Sequence, residues 1–229
     1  MVVQGQPFGQ IFSIGWRRDA NGNVIVGNNG VPLNSGTRSL SVANAIPDWM
    51  GGFSNMFSYK SLNLSFLIDH RQGGSALSVT DAMLDFEGLT EKTLAGREGG
   101  LIFGQNLFPG QKAVKQDGTP NDISVNAQTF WRTTGGVVNP VGEAFVESMT
   151  NTRLRELMIG YTFPKSLLGN LPIKSVKLSV VGRNLWFIHR ASKTIDPDIT
   201  AGTGVISEGQ SAFAPPTVRS YGLNLKVDL

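Results

Sequence analysis

Three adjacent side chains, Asp69, His70 and Arg71, have the types that recognition and catalysis use. An imidazole beside a carboxylate can move protons, as in general acid–base catalysis. However, the chain has two histidines and no cysteine, and no nucleophile elbow of the Gly-x-Ser-x-Gly kind accompanies them. We therefore interpret the three as polar residues near the end of a strand and as candidate substrate-binding residues.

A second acidic pair, Asp196 and Asp198, lies in the sequence Ile-Asp-Pro-Asp-Ile. Paired carboxylates are the catalytic groups of most glycoside hydrolases. The proline between them favours a tight turn in a loop instead, because its ring fixes the backbone angle φ. We predict that the chain is not an enzyme and that it has no catalytic residue, no cofactor site and no metal site.

The composition excludes several classes of protein. The 229 residues carry a formal net charge of +3, without the basic stripe that binds nucleic acid. Without cysteine the chain forms neither a disulfide framework nor a thiolate metal site. No apolar run reaches the roughly 18 residues of a membrane-spanning helix. The 28 glycines, 11 prolines and 13 phenylalanines favour strands and turns, so the predicted fold class is all-β.

Six segments show the two-residue period of β-strands, with apolar side chains on one face. They are Phe8–Trp16, Asp48–Tyr59, Leu62–Arg71, Glu156–Phe163, Val176–Arg183 and Ser220–Leu229. Long and short connections alternate between them: Lys60 and Ser61 alone join the second strand to the third, a break at Pro164–Pro172 is short, and a loop from His189 to about Pro216 is long. Short turns at one end and long loops at the other are typical of outer-membrane β-barrels.

The long connections are predicted to contain little regular structure. We expect a tight turn at Asn21–Gly22 and a short helix that begins near Ser78 or Thr80. The region Leu101–Thr152 is interpreted as an elaborate loop, with one short strand near Ile123–Trp131.

In a barrel, the apolar face contacts lipid and the other face lines a wet lumen. The residues predicted to face the membrane are Leu157, Ile159, Tyr161, Phe163, Val176, Leu178, Val180, Tyr221, Leu223, Leu225 and Val227. Charged residues of the other parity, such as Glu156, Lys177 and Arg183, are predicted to face the lumen. A soluble sheet shows the same alternation, but aromatic residues near strand ends, such as Trp16 and Tyr59, suit the interfacial girdles of a membrane barrel.

Several stretches resemble one known family. They are "PDWMGGFSNMFSYKSLNLSFLID", "LAGREGG", "TRLRELMIGYTFPKSLL", "SVVGRNLWF", "IDPDI" and "RSYGLNLKVDL". Together, and in this order, they resemble the C-terminal part of the SusC/RagA family of TonB-dependent outer-membrane transporters of Bacteroidetes. The resemblance spans nearly all of residues 1–229. It implies an antiparallel transmembrane β-barrel of about 22 strands, of which about six would form an open segment here, without the plug domain.

The resemblance also implies what the complete protein does. It would lie in the outer membrane, contact its lipid, work with a SusD-like lipoprotein, draw energy from the TonB system through a missing N-terminal region, and import glycan or peptide nutrients. Six strands are fewer than the roughly eight of the smallest outer-membrane barrels, and the first residues lack a secretory signal. We therefore expect this chain to be a fragment of a longer protein that is inactive alone.

A secreted, soluble β-sandwich that binds carbohydrate is the alternative. Trp49, Trp131 or Trp186 would then offer a flat ring on which a sugar can pack. This alternative predicts a soluble monomer whose tryptophan fluorescence changes with glycan, whereas a transporter predicts dependence on detergent.

Overall fold

A computed structural model describes residues 3–169, 172–198 and 209–228. These residues form twelve strands: β1 (Gln10–Ser13), β2 (Val24–Val26), β3 (Leu40–Asn44), β4 (Pro47–Tyr59), β5 (Leu62–Gly73), β6 (Ser75–Ser78), β7 (Ala113–Lys115), β8 (Val146–Ser148), β9 (Asn151–Phe163), β10 (Ser175–Arg190), β11 (Gln210–Ser211) and β12 (Ser220–Asp228). The helices are α1 (Val79–Phe86), α2 (Ala127–Thr134) and α3 (Lys165–Leu168), and 3₁₀ helices span Glu91–Thr93 and Gly142–Phe145.

The described residues divide into two compact units. The core unit comprises those within 1–46, 74–148 and 200–214, and the sheet unit comprises those within 47–73, 149–199 and 215–229. Among the described residues, no helix has the length and apolar character needed to cross a membrane.

The sheet unit is one antiparallel sheet of five strands in the order β12-β10-β9-β5-β4. These strands correspond to five of the six predicted segments. The predicted two-residue connection is confirmed, because β4 ends at Tyr59 and β5 begins at Leu62. Lys60 has a φ of +53°, the left-handed conformation that tight hairpin turns require.

The register aligns the apolar side chains across the sheet. Tyr161 of β9 lies opposite Leu62 of β5 on one side and Leu178 of β10 on the other, and Leu178 lies opposite Leu225 of β12. All eleven residues predicted to face the membrane therefore share one side of the sheet, which we call the apolar face, and most of them are exposed. Their contact with lipid stays a prediction.

One β-bulge alters the alternation in β9. The pairing of β5 with β9 steps from Leu67–Glu156 to Ile68–Leu154, so Arg155 has no partner position in β5. A bulge of this kind reverses the face of the residues beyond it. Arg155 and Arg153 consequently lie on the side opposite the apolar face, which we call the polar face, although their sequence parity matches that of Leu157.

The core unit buries its apolar side chains in the way of a water-soluble domain. Trp16 packs edge-on against Phe103 and Phe108, with ring centroids 4.9 and 5.0 Å apart. Its side chain is buried, so the prediction of Trp16 as an interfacial aromatic is wrong. The predicted strand Phe8–Trp16 is also wrong in extent and place, because β1 is four residues long and pairs with β3 in a separate two-stranded sheet.

The helical prediction is confirmed at α1, and the strand predicted near Ile123–Trp131 is wrong. The side chain of Ser78 accepts a hydrogen bond from the backbone N–H of Asp81 and so caps α1. Residues from Ala127 onward form α2, whose cap Asn126 accepts hydrogen bonds from two backbone N–H groups of the first turn. Burial of Phe130 and Trp131 on one side of α2 stabilises the helix in spite of its poor helix formers.

The predicted connections are partly described. Asp19 and Asn23 close the turn at Asn21–Gly22 with an N–H···O bond of 2.9 Å, as predicted. Within the break at Pro164–Pro172 the short helix α3 follows the proline, and residues 170–171 lie outside the described residues. In the loop predicted from His189, residues 199–208 lie outside them too.

Candidate functional site

Strand geometry separates the three candidate residues of β5, because successive side chains point to opposite faces. Asp69 lies on the polar face and pairs with Arg155 Nε. Arg71 lies on the same face, opposite Asn151 of β9. His70 lies on the other face, where its ring centroid is 4.7 Å from that of Trp49 and its Nδ1 is 2.7 Å from Thr152 Oγ1. The structure thus brings Asp69 and Arg71 together and turns His70 away; their role in substrate binding stays a prediction.

A network of charged side chains covers the polar face near Asp69. We call it the arginine–aspartate cluster: Asp69, Arg153, Arg155, Asp196 and Asp198. Arg155 binds Asp198 through two bonds, Nη1 to Oδ2 at 2.5 Å and Nη2 to Oδ1 at 2.8 Å. This bidentate geometry gives strong, directional pairing. Arg155 therefore links the carboxylate of β5 to a carboxylate of the connection between β10 and β12.

Arg153 is the most enclosed member of the cluster. Only 3% of its side chain is exposed, and its Nη1 lies 2.5 Å from Asp198 Oδ2. Its guanidinium group lies 4.5 Å from the ring centroid of Phe187 of β10, a cation–π contact that gains strength when water is excluded. Its Nη2 donates to Thr217 Oγ1 at 2.7 Å. The charge and both Nη groups of this buried guanidinium are thus matched, as burial requires, whereas its buried Nε has no hydrogen-bond partner among the described residues.

Asp196 organises the turn that carries both carboxylates. One of its oxygens accepts the backbone N–H of Asp198 at 3.1 Å, and the other accepts the hydroxyl and the backbone N–H of Thr217 at 2.6 and 3.1 Å. The predicted turn at Pro197 is confirmed. Because the carboxylates of Asp196 and Asp198 are occupied by arginines and by Thr217, this geometry favours a structural role for the pair over acid–base chemistry.

The electrostatics of Asp198 follow from these partners. Burial on its own would raise the pKa of Asp198, but the hydrogen bonds and positive charges of Arg155 and Arg153 outweigh burial and hold the pKa below its ordinary value. Asp198 is therefore ionised across the physiological pH range.

A cleft of about 370 Å³ opens beside the cluster. Its wall includes Asp69, Arg71, Arg155 and Asp198, and His70 also borders it. The cleft thus presents carboxylates and guanidinium groups side by side. Such a surface can pair with either sign of charge and can donate to or accept from amides and hydroxyls.

Sequence reasoning did not single out Arg153 and Arg155, which the structure places at the centre of the site. Strict alternation put both on the parity of Leu157 and Ile159, the face predicted to be apolar. The signal that could have found them is their charge. Two arginines on a lipid-facing parity are costly, so their presence indicates a bulge that reverses the strand.

The three tryptophans proposed as sugar platforms lie in different surroundings. Trp131 is 3% exposed in the core unit, so its assignment as an open platform is wrong. Trp49 and Trp186 are 54% and 52% exposed, but Trp49 already packs on His70.

One side of the sheet is apolar and exposed, and the other is charged and carries a cleft; the strands of an outer-membrane β-barrel show the same division between their lipid-facing and lumen-facing sides. No protein-family model matches the chain. Among curated proteins it is similar to the TonB-dependent receptor P26 of Formosa agariphila, with 24% identity over 215 residues, which cover 91% of this chain and 19% of that protein.

Solved structures show the same fold. The RagAB peptide importer in its closed-closed state matches with a TM-score of 0.55 and 17% identity over 95% of this chain and 21% of that chain. A RagAB peptide transporter matches with a TM-score of 0.54 and 18% identity over 96% and 20%. The chain is thus similar in sequence to a TonB-dependent receptor and in fold to the RagAB transporters, in agreement with the resemblance its motifs showed. It spans about a fifth of the length of these relatives, which are named as receptors and transporters and not as enzymes.

Proposed function

We propose that this chain forms part of the wall of a TonB-dependent transporter in the bacterial outer membrane. The observation that carries the proposal is the apolar face, which continues across neighbouring strands while the opposite face holds the arginine–aspartate cluster. Side chains such as Leu223 and Leu225, exposed at 77% and 64%, would each gain about 1.5–3 kcal/mol on leaving water. Lipid would cover the apolar face, and a water-filled lumen would solvate the polar face.

The sheet edges extend this proposal to a larger barrel. Within the described residues, β4 and β12 each pair with a single neighbour in the five-stranded sheet. In lipid, each backbone group left unpaired at such an edge costs several kcal/mol. We therefore propose that further strands close the sheet into a barrel of about 22 strands, that the chain is one segment of it, and that the segment alone transports nothing.

The complete transporter would work with a SusD-like lipoprotein and draw energy from the TonB system. Its cargo would be a glycan or a peptide. The cleft on the polar face supports this, because its paired charges suit the amides and charged ends of a peptide as well as the hydroxyls of a glycan. Asp69 and Arg71 are the contacts we propose there, with His70 at the border.

Membrane fractionation tests the location. When the intact transporter that contains this segment is produced with an outer-membrane targeting signal, we expect it in the outer-membrane fraction, dependent on detergent for solubility. A detergent-free soluble monomer whose tryptophan fluorescence changes with glycan would contradict the proposal and support a carbohydrate-binding module. A protease-resistant monomer of residues 1–229 that moves substrate by itself would contradict the role as a segment.

Uptake by the intact transporter tests the cleft. We expect Asp69→Asn combined with Arg71→Gln to lower the apparent affinity for its nutrient by about tenfold, the effect of losing roughly 1.4 kcal/mol of binding free energy. Lys177→Gln is the matched control, because Lys177 also lies on the polar face but not at the cleft. Unchanged uptake in the combined variant, with His70→Gln added, would remove these residues from the binding site.

A further inference from the structure

The connection between β10 and β12 is tied at both ends to one buried side chain. Asp196 and Asp198 lie in its first part and Thr217 in its last part, and all three are partners of Arg153. Asp196 and Thr217 also bind each other. The two ends of the connection are therefore joined to each other and to β9.

The chemistry of this junction requires the planar fork of an arginine. The Nη1 group of Arg153 donates to Asp198 Oδ2 at 2.5 Å and lies 3.8 Å from Asp196 Oδ1. Its Nη2 group donates to Thr217 Oγ1 at 2.7 Å. Phe187 covers the flat side of the same group. A lysine could neutralise Asp198, but its single ammonium group cannot reach both ends of the connection and also stack on the ring.

We propose that Arg153 is a positioning residue that holds both ends of this connection against the polar face and thereby keeps Asp198 in the wall of the cleft. The inference deepens the proposed function, since the cleft is the surface that would meet cargo. Asp198 in turn fixes the guanidinium of Arg155, which also pairs with Asp69. Arg153 thus acts on the cleft through Asp198 without lining it.

Residues 1–229 contain no cysteine, so a cysteine introduced there is a unique labelling site once any cysteine elsewhere in the intact protein has been replaced. Val218 is exposed and directly follows Thr217, so a spin label at Val218→Cys can sense how firmly that end is held. The measurement is made on the intact protein in outer-membrane vesicles. We expect an immobilised label in the parent protein and a mobile label when Arg153→Gln is added.

Two further variants distinguish the loss of the contacts of Arg153 from a loss of folding. Thr217→Val removes the two hydroxyl bonds of this tie, to Arg153 and to Asp196, and keeps the backbone bond from Thr217 to Asp196. It leaves the ion pairs of Arg153 intact and therefore leaves no buried charge unpaired. Asp196→Asn weakens the same tie from the other side. We expect both variants to lose the immobilised signal of the label while the heat-dependent gel shift of the folded barrel is retained. We expect Arg153→Lys to keep only part of the immobilised signal that Arg153→Gln loses.

Arg183→Gln is the matched control. Arg183 is an exposed arginine that pairs with Glu156 on the polar face at 2.9 Å, and its loss should leave the label immobilised. A label that stays immobilised in both Thr217→Val and Asp196→Asn, with the barrel folded, overturns the proposal. The label is read without transport, so this failure is distinct from a failure of the proposed function.

Discussion

The two units place their hydrophobic residues in opposite surroundings. In the core unit, Trp16, Phe103 and Phe130 are buried against one another. In the sheet unit, the apolar face leaves Leu223 and Tyr221 exposed and puts charged residues on the other side. The first unit covers these side chains internally, whereas the second leaves its apolar face exposed, and we propose that lipid covers it.

The difference shows that a two-residue alternation of apolar side chains indicates which of them share a face of a strand. It does not indicate whether protein, lipid or water covers that face. The segments Phe8–Trp16 and Leu157–Phe163 have the same two-residue period. In the first segment, Ile11 and Ile14, which differ in parity, are both buried within a protein core. In the second, Ile159 and Tyr161 remain exposed on one face.

The largest effect is expected from Phe103→Ala in the core unit. The side chain of Phe103 is fully buried against Trp16, Phe108 and Phe130, so its removal should lower the free energy of unfolding by about 3–5 kcal/mol. Phe8→Ala is the matched control, because Phe8 is 56% exposed and should change stability by no more than about 0.5 kcal/mol. Urea titration measures both, and equal losses would contradict a closed core.

The apolar face should be sensitive to charge. Leu225→Arg places a guanidinium in lipid and should cost about 2–4 kcal/mol in vesicles. Asn224→Arg is the control on the adjacent residue of β12, which has the opposite orientation and should cost far less. Equal costs at the two positions would contradict the assignment of faces.

Ion pairs in the two units should differ in strength. Arg18 and Glu143 form a partly buried pair that also receives the backbone N–H of Trp16 at 2.8 Å, and the hydrogen bond to Glu143 raises the pKa of Arg18. A double-mutant cycle should give a coupling of about 1.5–3 kcal/mol. For the exposed pair of Arg183 and Glu156, we expect about 0.2–1 kcal/mol, and a reversed order would contradict this comparison.

The smallest effect over the ordinary pH range is expected at Asp198. Its lowered pKa means that the folded state stabilises the ionised form of Asp198. The contribution of Asp198 to the free energy of unfolding is therefore complete above the ordinary aspartate pKa of about 3.9. This contribution is lost as the pH falls through the lowered pKa. The charged groups that face it include Arg153, Arg155, Arg71 and the neighbouring carboxylate Asp196. A spin label at Val218 should stay immobilised from pH 8 to about pH 4 and become mobile only below.

Asp198→Asn provides the control for this titration. It should weaken the pH dependence and leave Asp196 as the remaining nearby acid. Release of the label between pH 5 and 7 in the parent protein would show that the carboxylate is not held as described.

The five long strands could be predicted from the sequence because each has an uninterrupted period and a clear break at its end, such as the turn at Lys60–Ser61. Their register could not, since pairing depends on contacts between distant parts of the chain. The bulge at Arg155 was missed for that reason, and with it the centre of the site.

Helix α2 shows a different limit. Its sequence, rich in threonine and aromatic residues, has a weak helical propensity, and Asn126 was the only strong local signal of a helix start. The helix is stabilised by the burial of Phe130 and Trp131 in the core unit, which is a tertiary effect. Of the predicted site residues, Asp69 and Arg71 share a face as alternation requires. Asp198 was predicted only as part of a turn, and its place in the site depends on the fold of the whole connection.

The most direct test of the central claim is the accessibility of four successive positions in β12, spin-labelled one at a time at cysteines in the otherwise cysteine-free chain. They are Leu223, Asn224, Leu225 and Lys226. In outer-membrane vesicles, we expect labels at Leu223 and Leu225 to collide with lipid-soluble oxygen and labels at Asn224 and Lys226 with a water-soluble nickel complex. Equal access of the nickel complex to all four would contradict a sheet that separates lipid from water.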